Sequence, residues 1–212
     1  MLTEGEFVSA LILKAWPFHA DHSLCSVELV VAYMGALKAG ATVSVIDPQY
    51  PPERQKVILD VGKPKFLVCI QKANDNFGPP SDLVMDYVSS SLNLKSSVPA
   101  LALSNDGQLT GGIVNGSDCL AGFGHEDPVN VVVGPDSIPT LSYTSGTQGR
   151  PKGVQGRHFS LTHFFPWMAD KFGLSADDRF TMLSGIAHDP IQVSEPSSTF
   201  DTSRPQMLIA SF

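Results

Sequence analysis

The chain has 212 residues, 42% of them hydrophobic and 17% charged, with a formal net charge of −7. That length suits one sizeable domain or slightly more, and the composition suits a packed core, not a disordered chain. Only 14 Lys and Arg are spread along it, which argues against a nucleic-acid partner, since such a surface needs a dense set of phosphate-neutralising cations.

Residues 1–22 show no clean period. Phe7 to Trp16 is apolar but follows Glu4 and Glu6, not a basic segment, so no secretory signal is expected. No apolar run approaches the ~20 residues that span a bilayer, so no membrane partner and a cytoplasmic location are expected. Cys25, Cys69 and Cys119 are widely spaced, with no CxxC or CxxH pairing. A structural zinc site is therefore not expected, and buried free thiols in a reducing compartment are.

The first periodic segment begins near Ser26. Val27, Val30, Val31, Met34 and Leu37 fall on one face of a helix, and Gly40 sits where a left-handed cap belongs. Thr42 to Ile46 is a β-branched run suited to a buried strand. The Asp47-Pro48-Gln49-Tyr50-Pro51-Pro52 stretch predicts a turn, with Pro52 opening a second helix whose buried stripe is Val57, Ile58 and Val61. Gly62 and Pro64 end that helix, and Phe66 to Ile70 predicts a second strand. Helix, strand, helix, strand points to an α/β domain with parallel pairing.

Residues 71–128 read as strand and loop, with Leu83 to Val88 a short strand or helix and Pro99 a breaker. Val129 to Val133 predicts a compact strand, and Thr140 to Thr144 another that feeds a Gly-rich loop. Leu161, Phe164, Phe165, Met168 and Phe172 form the stripe of an amphipathic helix that contains Pro166. Pro166 should kink that helix or cost about 3 kcal/mol. Arg179 to Leu183 is a further candidate strand, and the Ser-, Thr- and Pro-rich tail from Val193 reads as disordered.

The chemistry concentrates in Leu-Ser-Tyr-Thr-Ser-Gly-Thr-Gln-Gly-Arg-Pro-Lys-Gly-Val at 141–154. Thr144, Ser145 and Thr147 supply hydroxyl donors, while Gly146 and Gly149 let backbone N–H groups converge into an anion-binding nest. Lys152, followed by Gly153, adds a mobile positive charge suited to phosphate oxygens. The spacing does not fit a Walker A loop, and no G-x-G-x-x-G follows a strand, so neither a P-loop nucleoside triphosphatase nor a dinucleotide-binding site is indicated.

Residues 143–154 resemble the signature loop of the adenylate-forming superfamily, which contains acyl-CoA synthetases, luciferases and the adenylation domains of nonribosomal peptide synthetases. Leu37-Lys38-Ala39-Gly40-Ala41, Val45 to Pro48 and Tyr50 to Arg54 resemble a second motif of its amino-acid-activating branch. Gly156 to Leu161 and Phe180 to Gln192 are similar to the adenylation domain of the fungal aminoadipate reductase family. The resemblance implies an α/β fold: part of the large N-terminal subdomain of an adenylate-forming enzyme, with mixed, mostly parallel sheets flanked by helices. It spans 24–192, with 1–23 and 193–212 unmatched.

That resemblance also implies a chemistry. Thr144, Ser145, Gly146, Thr147, Gly149, Lys152 and Gly153 would grip ATP with Mg²⁺, Lys152 acting catalytically, while the side-chain carboxylate of 2-aminoadipate attacks the α-phosphorus. His188 and Asp189 would line the substrate pocket, Asp189 facing the substrate ammonium. A turn Asp before Pro190 and an ordinary loop histidine are the alternatives at those positions. No protein metal ligand is assigned. The family's later steps use phosphopantetheine and NADPH on further domains. Its acidic Mg²⁺ residue, ribose-binding Asp, hinge and C-terminal lysine have no counterpart after Gln192. The implied activity is therefore that of a piece incomplete for catalysis by itself, with apolar faces and sheet edges left uncovered. A different amino-acid- or acyl-activating ligase, or a non-catalytic ATP-binding protein, stays open.

Overall fold

Ser26 opens the first helix as an N-cap, its hydroxyl oxygen accepting from Leu29 N at 3.4 Å. The computed structural model describes residues 9–13 as backbone, and residues 26–124, 131–144, 150–175 and 178 in full. Helix α1 (Val27–Lys38) ends before Gly40, whose φ of +69° is the left-handed conformation expected there. Its buried face is not the expected one. Leu29 is buried, with Ala32, Tyr33, Ala36 and Leu37 packed beside it, whereas Val27 and Val30 are exposed. The helix is apolar nearly all round, so two stripes compete. The one carrying small alanines lies against the sheet.

Strand β2 (Thr42–Ile46) is buried along its whole length, and helix α2 (Pro52–Gly62) starts with proline in its first turn. Asp47 shapes the connection by accepting from Gln49 N at 2.9 Å. Gln55 completes it, its Nε2 donating to the Pro48 carbonyl at 3.1 Å and the Tyr50 carbonyl at 2.7 Å. That bonding draws Gln55 into the interior, so the buried face of α2 is Gln55, Ile58 and Leu59, and Val57 and Val61 sit at its margins. The helix stops at Gly62 because Lys63 turns left-handed, at φ 41°. Strand β3 (Phe66–Ile70) follows as expected.

The region after Ile70 is more helical than expected. Helices α3 (Gln71–Phe77) and α4 (Asp82–Ser91) precede β4 (Ser96–Leu103), β5 (Leu109–Thr110), β6 (Ile113–Val114) and β7 (Ser117–Asp118). Leu83 to Val88 belongs to α4, with Val84 and Val88 buried one turn apart. Pro99 does not break β4. It lies where the parallel register with β3 slips between Val68 and Ile70, a bulge that needs no N–H from it.

Strand β1 (Ser9–Leu13) pairs in parallel with both β2 and β3. With β8 (Thr140–Thr144) and β9 (Lys152–Gly156) the strands form a seven-stranded sheet in the order β5-β4-β3-β1-β2-β8-β9. The β1, β2, β3, β4 and β8 pairings are parallel, and β5 and β9 run antiparallel at the two edges. Val131 to Val133 forms no strand, and Val132 is 98% exposed. β-Branched composition favours a strand only where a partner strand and a surface to pack on are supplied. Val129, Asn130, Arg179 to Leu183 and the tail from Val193 lie outside the described residues.

One sheet face packs Ile46, Leu67 and Cys69 against Ile58 and Leu59 of α2 and Val84 and Val88 of α4. The other packs Val43, Val45 and Ile70 against Leu29 of α1 and Ala73 of α3. Full burial of such a side chain contributes about 1.5–3 kcal/mol. The last helix, α5 (His158–Phe172), buries Met168 but leaves Phe159, Phe164, Trp167 and Phe172 exposed. It runs through Pro166, which cannot bond the Thr162 carbonyl. Both residues are exposed, so water can satisfy that oxygen. Because β2 and β8 run parallel, the Asp47 turn and the end of β8 share the carboxyl edge of the sheet, where α/β folds bind ligands.

Candidate functional site

The site is a hairpin. β8 and β9 pair antiparallel with Tyr143 opposite Gly153 and Thr144 opposite Lys152. The residues between them, 145–149, lie outside the described residues, so the expected loop members Ser145, Gly146, Thr147 and Gly149 have no described placement. His188 and Asp189 lie outside as well. The expected residues that are described are therefore Thr144, Lys152 and Gly153, and the hairpin register brings them together at the mouth of the loop.

Thr144 and Lys152 are both exposed. Among the described residues Lys152 has no ion-pair partner, while its neighbour Arg150 is held by Asp60, Nη2 to Oδ2 at 2.7 Å. Tyr87 on α4 donates its hydroxyl to the other Asp60 oxygen at 2.9 Å. Burial, and then that hydrogen bond, raise the Tyr87 phenol above its ordinary range. Among the described residues, the cation left available at the loop mouth is Lys152. An ammonium beside a threonine hydroxyl suits phosphate oxygens.

Gly153 serves packing. A Cβ there would lie 3.0 Å from Leu141 Cδ1 on β8 and at an ordinary 3.6 Å from Val61 Cγ1 of α2, so glycine makes room for Leu141 where the hairpin meets α2. Gly62 does the same from the helix side, with no room for a methyl beside the Tyr143 hydroxyl. That hydroxyl and Ser44 Oγ are buried near one another, but neither reaches hydrogen-bond geometry. Burial raises the Tyr143 phenol above its ordinary value, and the nearby Ser44 hydroxyl opposes this in part.

The second motif, Asp47 to Arg54, also has a structural explanation. Beyond the Asp47 and Gln55 bonds, the Arg54 guanidinium lies 4.0 Å over the Tyr50 ring. His158 opens α5, its N–H donating to the Ser137 carbonyl at 3.1 Å. The sequence pattern did not single out Asp60 or Tyr87, and it marked Gly62 only as a helix end. Arg150 fell at a variable position of the loop motif, and nothing in the chain marks Asp60 as its partner 90 residues away.

For a nucleotide's phosphates, the described residues fit: a free cation, a hydroxyl and a tightly packed hairpin. For a metal ion, no group of three His, Cys, Asp or Glu among the described residues could hold one. Nor is any described helix long and apolar enough to cross a membrane. Cys69 is buried and Cys119 half-buried, both free thiols.

Comparison with known proteins identifies the family. Residues 23–195 match the model of the family described as AMP-binding enzyme. The L-2-aminoadipate reductase large subunit of Penicillium chrysogenum is 60% identical over 168 residues, which cover 78% of this chain and 12% of that protein. L-2-aminoadipate reductase of Schizosaccharomyces pombe is 59% identical over 170 residues, again 78% of this chain and 12% of the relative. The chain thus spans about an eighth of the length of these relatives. The crystal structure of ATP-bound MatB from Rhodopseudomonas palustris superposes with a TM-score of 0.60 over 89% of this chain and 32% of that one. At 20% identity that likeness is one of fold, and it agrees with the expected α/β architecture of mostly parallel strands flanked by helices. Matched over most of its length by the family model, and carrying that family's fold, the chain belongs to the AMP-binding enzyme family.

Proposed function

We propose that the chain supplies the phosphate-gripping part of the adenylation domain of an L-2-aminoadipate reductase, acting in the cytosol on ATP and 2-aminoadipate. The observation that carries the proposal is the hairpin mouth, where Lys152 is exposed, without an ion-pair partner among the described residues, and directly across from Thr144. The identity of more than half the positions shared with aminoadipate reductases supports the choice of substrate.

In this mechanism the Lys152 ammonium and the Thr144 hydroxyl hold phosphate oxygens, with Ser145, Gly146, Thr147 and Gly149 completing the grip and Gly153 setting the hairpin's position. A side-chain carboxylate oxygen of 2-aminoadipate attacks the α-phosphorus. The bond from that phosphorus to the bridging oxygen breaks, and pyrophosphate leaves with its electron pair. Lys152 stabilises the charge that builds on the leaving group, which is worth more in a site that excludes water. Bound Mg²⁺ would supply further neutralisation of phosphate charge. Asp189 would pair with the substrate ammonium and His188 would line the pocket. Thioester loading on phosphopantetheine and reduction by NADPH belong, in this proposal, to the longer protein that such relatives represent.

The test is pyrophosphate–ATP exchange by the full protein, supplied with 2-aminoadipate, adipate or a fatty acid. The proposal expects exchange with 2-aminoadipate, much less with adipate, which lacks the ammonium, and loss of exchange in Lys152→Ala. Exchange driven best by a fatty acid would make the protein an acyl ligase. Nucleotide binding without exchange for any carboxylate would leave only a nucleotide-binding role.

A further inference from the structure

The last turn of α2 touches the loop hairpin at successive residues. Asp60 pairs with Arg150 at 2.7 Å, just before β9. Val61 lies beside Gly153 on β9, and Gly62 meets the Tyr143 hydroxyl on β8. Both strands that carry the loop therefore rest on one helical turn. That helix is itself fixed: Gln55 bonds its first turn to the Asp47 loop, and Ile58 and Leu59 sit in the core. Asp60 is further oriented from α4 by the Tyr87 hydroxyl at 2.9 Å.

We propose that Asp60 is a positioning residue for the phosphate loop. Through Arg150, and with Tyr87 behind it, Asp60 clamps the base of the loop to α2 and leaves Lys152 as the cation that meets the ligand. The inference rests on the proposed phosphate-binding role of the hairpin and extends it to a residue that does not touch the nucleotide. Its chemistry follows from the charges. Arg150 and Lys152 flank Pro151, so both cations stand at the same strand entrance. With Asp60 neutralising Arg150, the entrance to β9 is held on α2 before any anion arrives, and less ordering remains to be done on binding. The pair is solvent-exposed, 70% at Arg150 and 43% at Asp60, so its effect on global stability is small. Its influence is local, on a hairpin whose described contacts to α2 include Val61 beside Gly153 and Gly62 beside Tyr143.

The experiment uses the 212-residue chain with Asp60→Asn, Arg150→Gln, Arg150→Lys and the Asp60→Asn/Arg150→Gln double variant. Hydrogen exchange of the peptide spanning residues 144–153 is read without nucleotide, and Mg²⁺-ATP affinity is read by titration. Each neutralising variant should speed exchange of the loop amides and weaken ATP binding, both by about threefold, the scale of an exposed ion pair. The double variant should be no worse than either single one, because both remove the same bond. Arg150→Lys should stay near the parent, since it keeps the charge. Lys152→Ala should weaken ATP binding with loop exchange unchanged. Unchanged exchange in Asp60→Asn and Arg150→Gln would overturn the proposal, as would effects that simply add in the double variant. A parent that binds no ATP would defeat the proposed function, and the exchange measurements would still decide the clamp.

Discussion

Substituting Gly62→Ala tests how closely the hairpin sits on α2. The added methyl would point at the Tyr143 hydroxyl, with Leu141 Cδ2 3.7 Å away. The tyrosine cannot simply swing aside, because its ring is packed against the core of Ile46, Ile58 and Leu59. Overpacking of this kind costs about 1–3 kcal/mol. Alanine's better helix propensity returns about 1 kcal/mol at most, and less at a final helical residue. The net expectation is a loss of about 1–2 kcal/mol. For a domain of this size that is a fall in Tm of about 2–8 °C. Urea denaturation followed by circular dichroism reads it directly, with the denaturant slope unchanged. Tyr143→Phe supplies the control. Its hydroxyl is buried without a hydrogen bond, so its removal should be nearly neutral alone and should recover most of the loss in the Gly62→Ala/Tyr143→Phe pair. A Gly62→Ala variant as stable as the parent, or a pair whose effects add independently, would refute the close packing argued here.

The remaining predictions concern pH. Burial pushes the Cys69 thiol from 9.0 up to about 11. Its folded value lies above its unfolded value, so the stabilisation is complete below pH 9.0 and is lost as pH climbs through about 11, roughly 2–3 kcal/mol in all. The raised Tyr143 phenol acts in the same direction, so urea midpoints should fall steeply in alkali, and a flat midpoint to pH 11 would contradict the burial of Cys69. In acid the weak point is the turn that joins β5 to β7. Asp118 accepts from Leu120 N at 2.8 Å, Gly111 N at 3.0 Å and Gly112 N at 3.1 Å, and these bonds hold its carboxyl below the usual range. Those bonds are present above the ordinary carboxylate pKa and are lost as pH falls through the lowered one. Asp118→Ala at neutral pH should therefore give the hydrogen exchange of residues 111–121 that the parent shows only in acid. Full protection in the variant would count against the turn.

Much of the architecture could be read from spacing. β2, β3 and β8 fall where the β-branched and apolar runs predicted them, and α1, α2 and α5 where turn residues and periodicity did. What spacing left open was which face turns inward. α1 is apolar on two sides, and only the neighbouring sheet decides between Leu29 and Val30. β1 was missed because five residues flanked by parallel neighbours carry no alternation to detect. α3 was missed, and α4 was left open between strand and helix, because polar residues fill most of their exposed positions, leaving only pairs such as Val84 and Val88 as signal. The run at Val131 misled for the opposite reason: strand composition that pairs with no described strand. At the site, the loop motif was legible because glycine, hydroxyl and lysine must be adjacent in sequence to converge on phosphate. Asp60 and Tyr87 were not, because their contribution depends on contacts made across the fold.

The central claim is that the hairpin mouth holds nucleotide phosphates through Lys152. Titration of the chain with Mg²⁺-ATP, parent against Lys152→Ala, tests it most directly. Loss of a charge-assisted contact of about 1.5–3 kcal/mol should weaken binding roughly tenfold or more, with the thermal melt of the unliganded chain unchanged because Lys152 is exposed and has no ion-pair partner among the described residues. Equal affinity in the variant and the parent would mean that phosphates are held elsewhere.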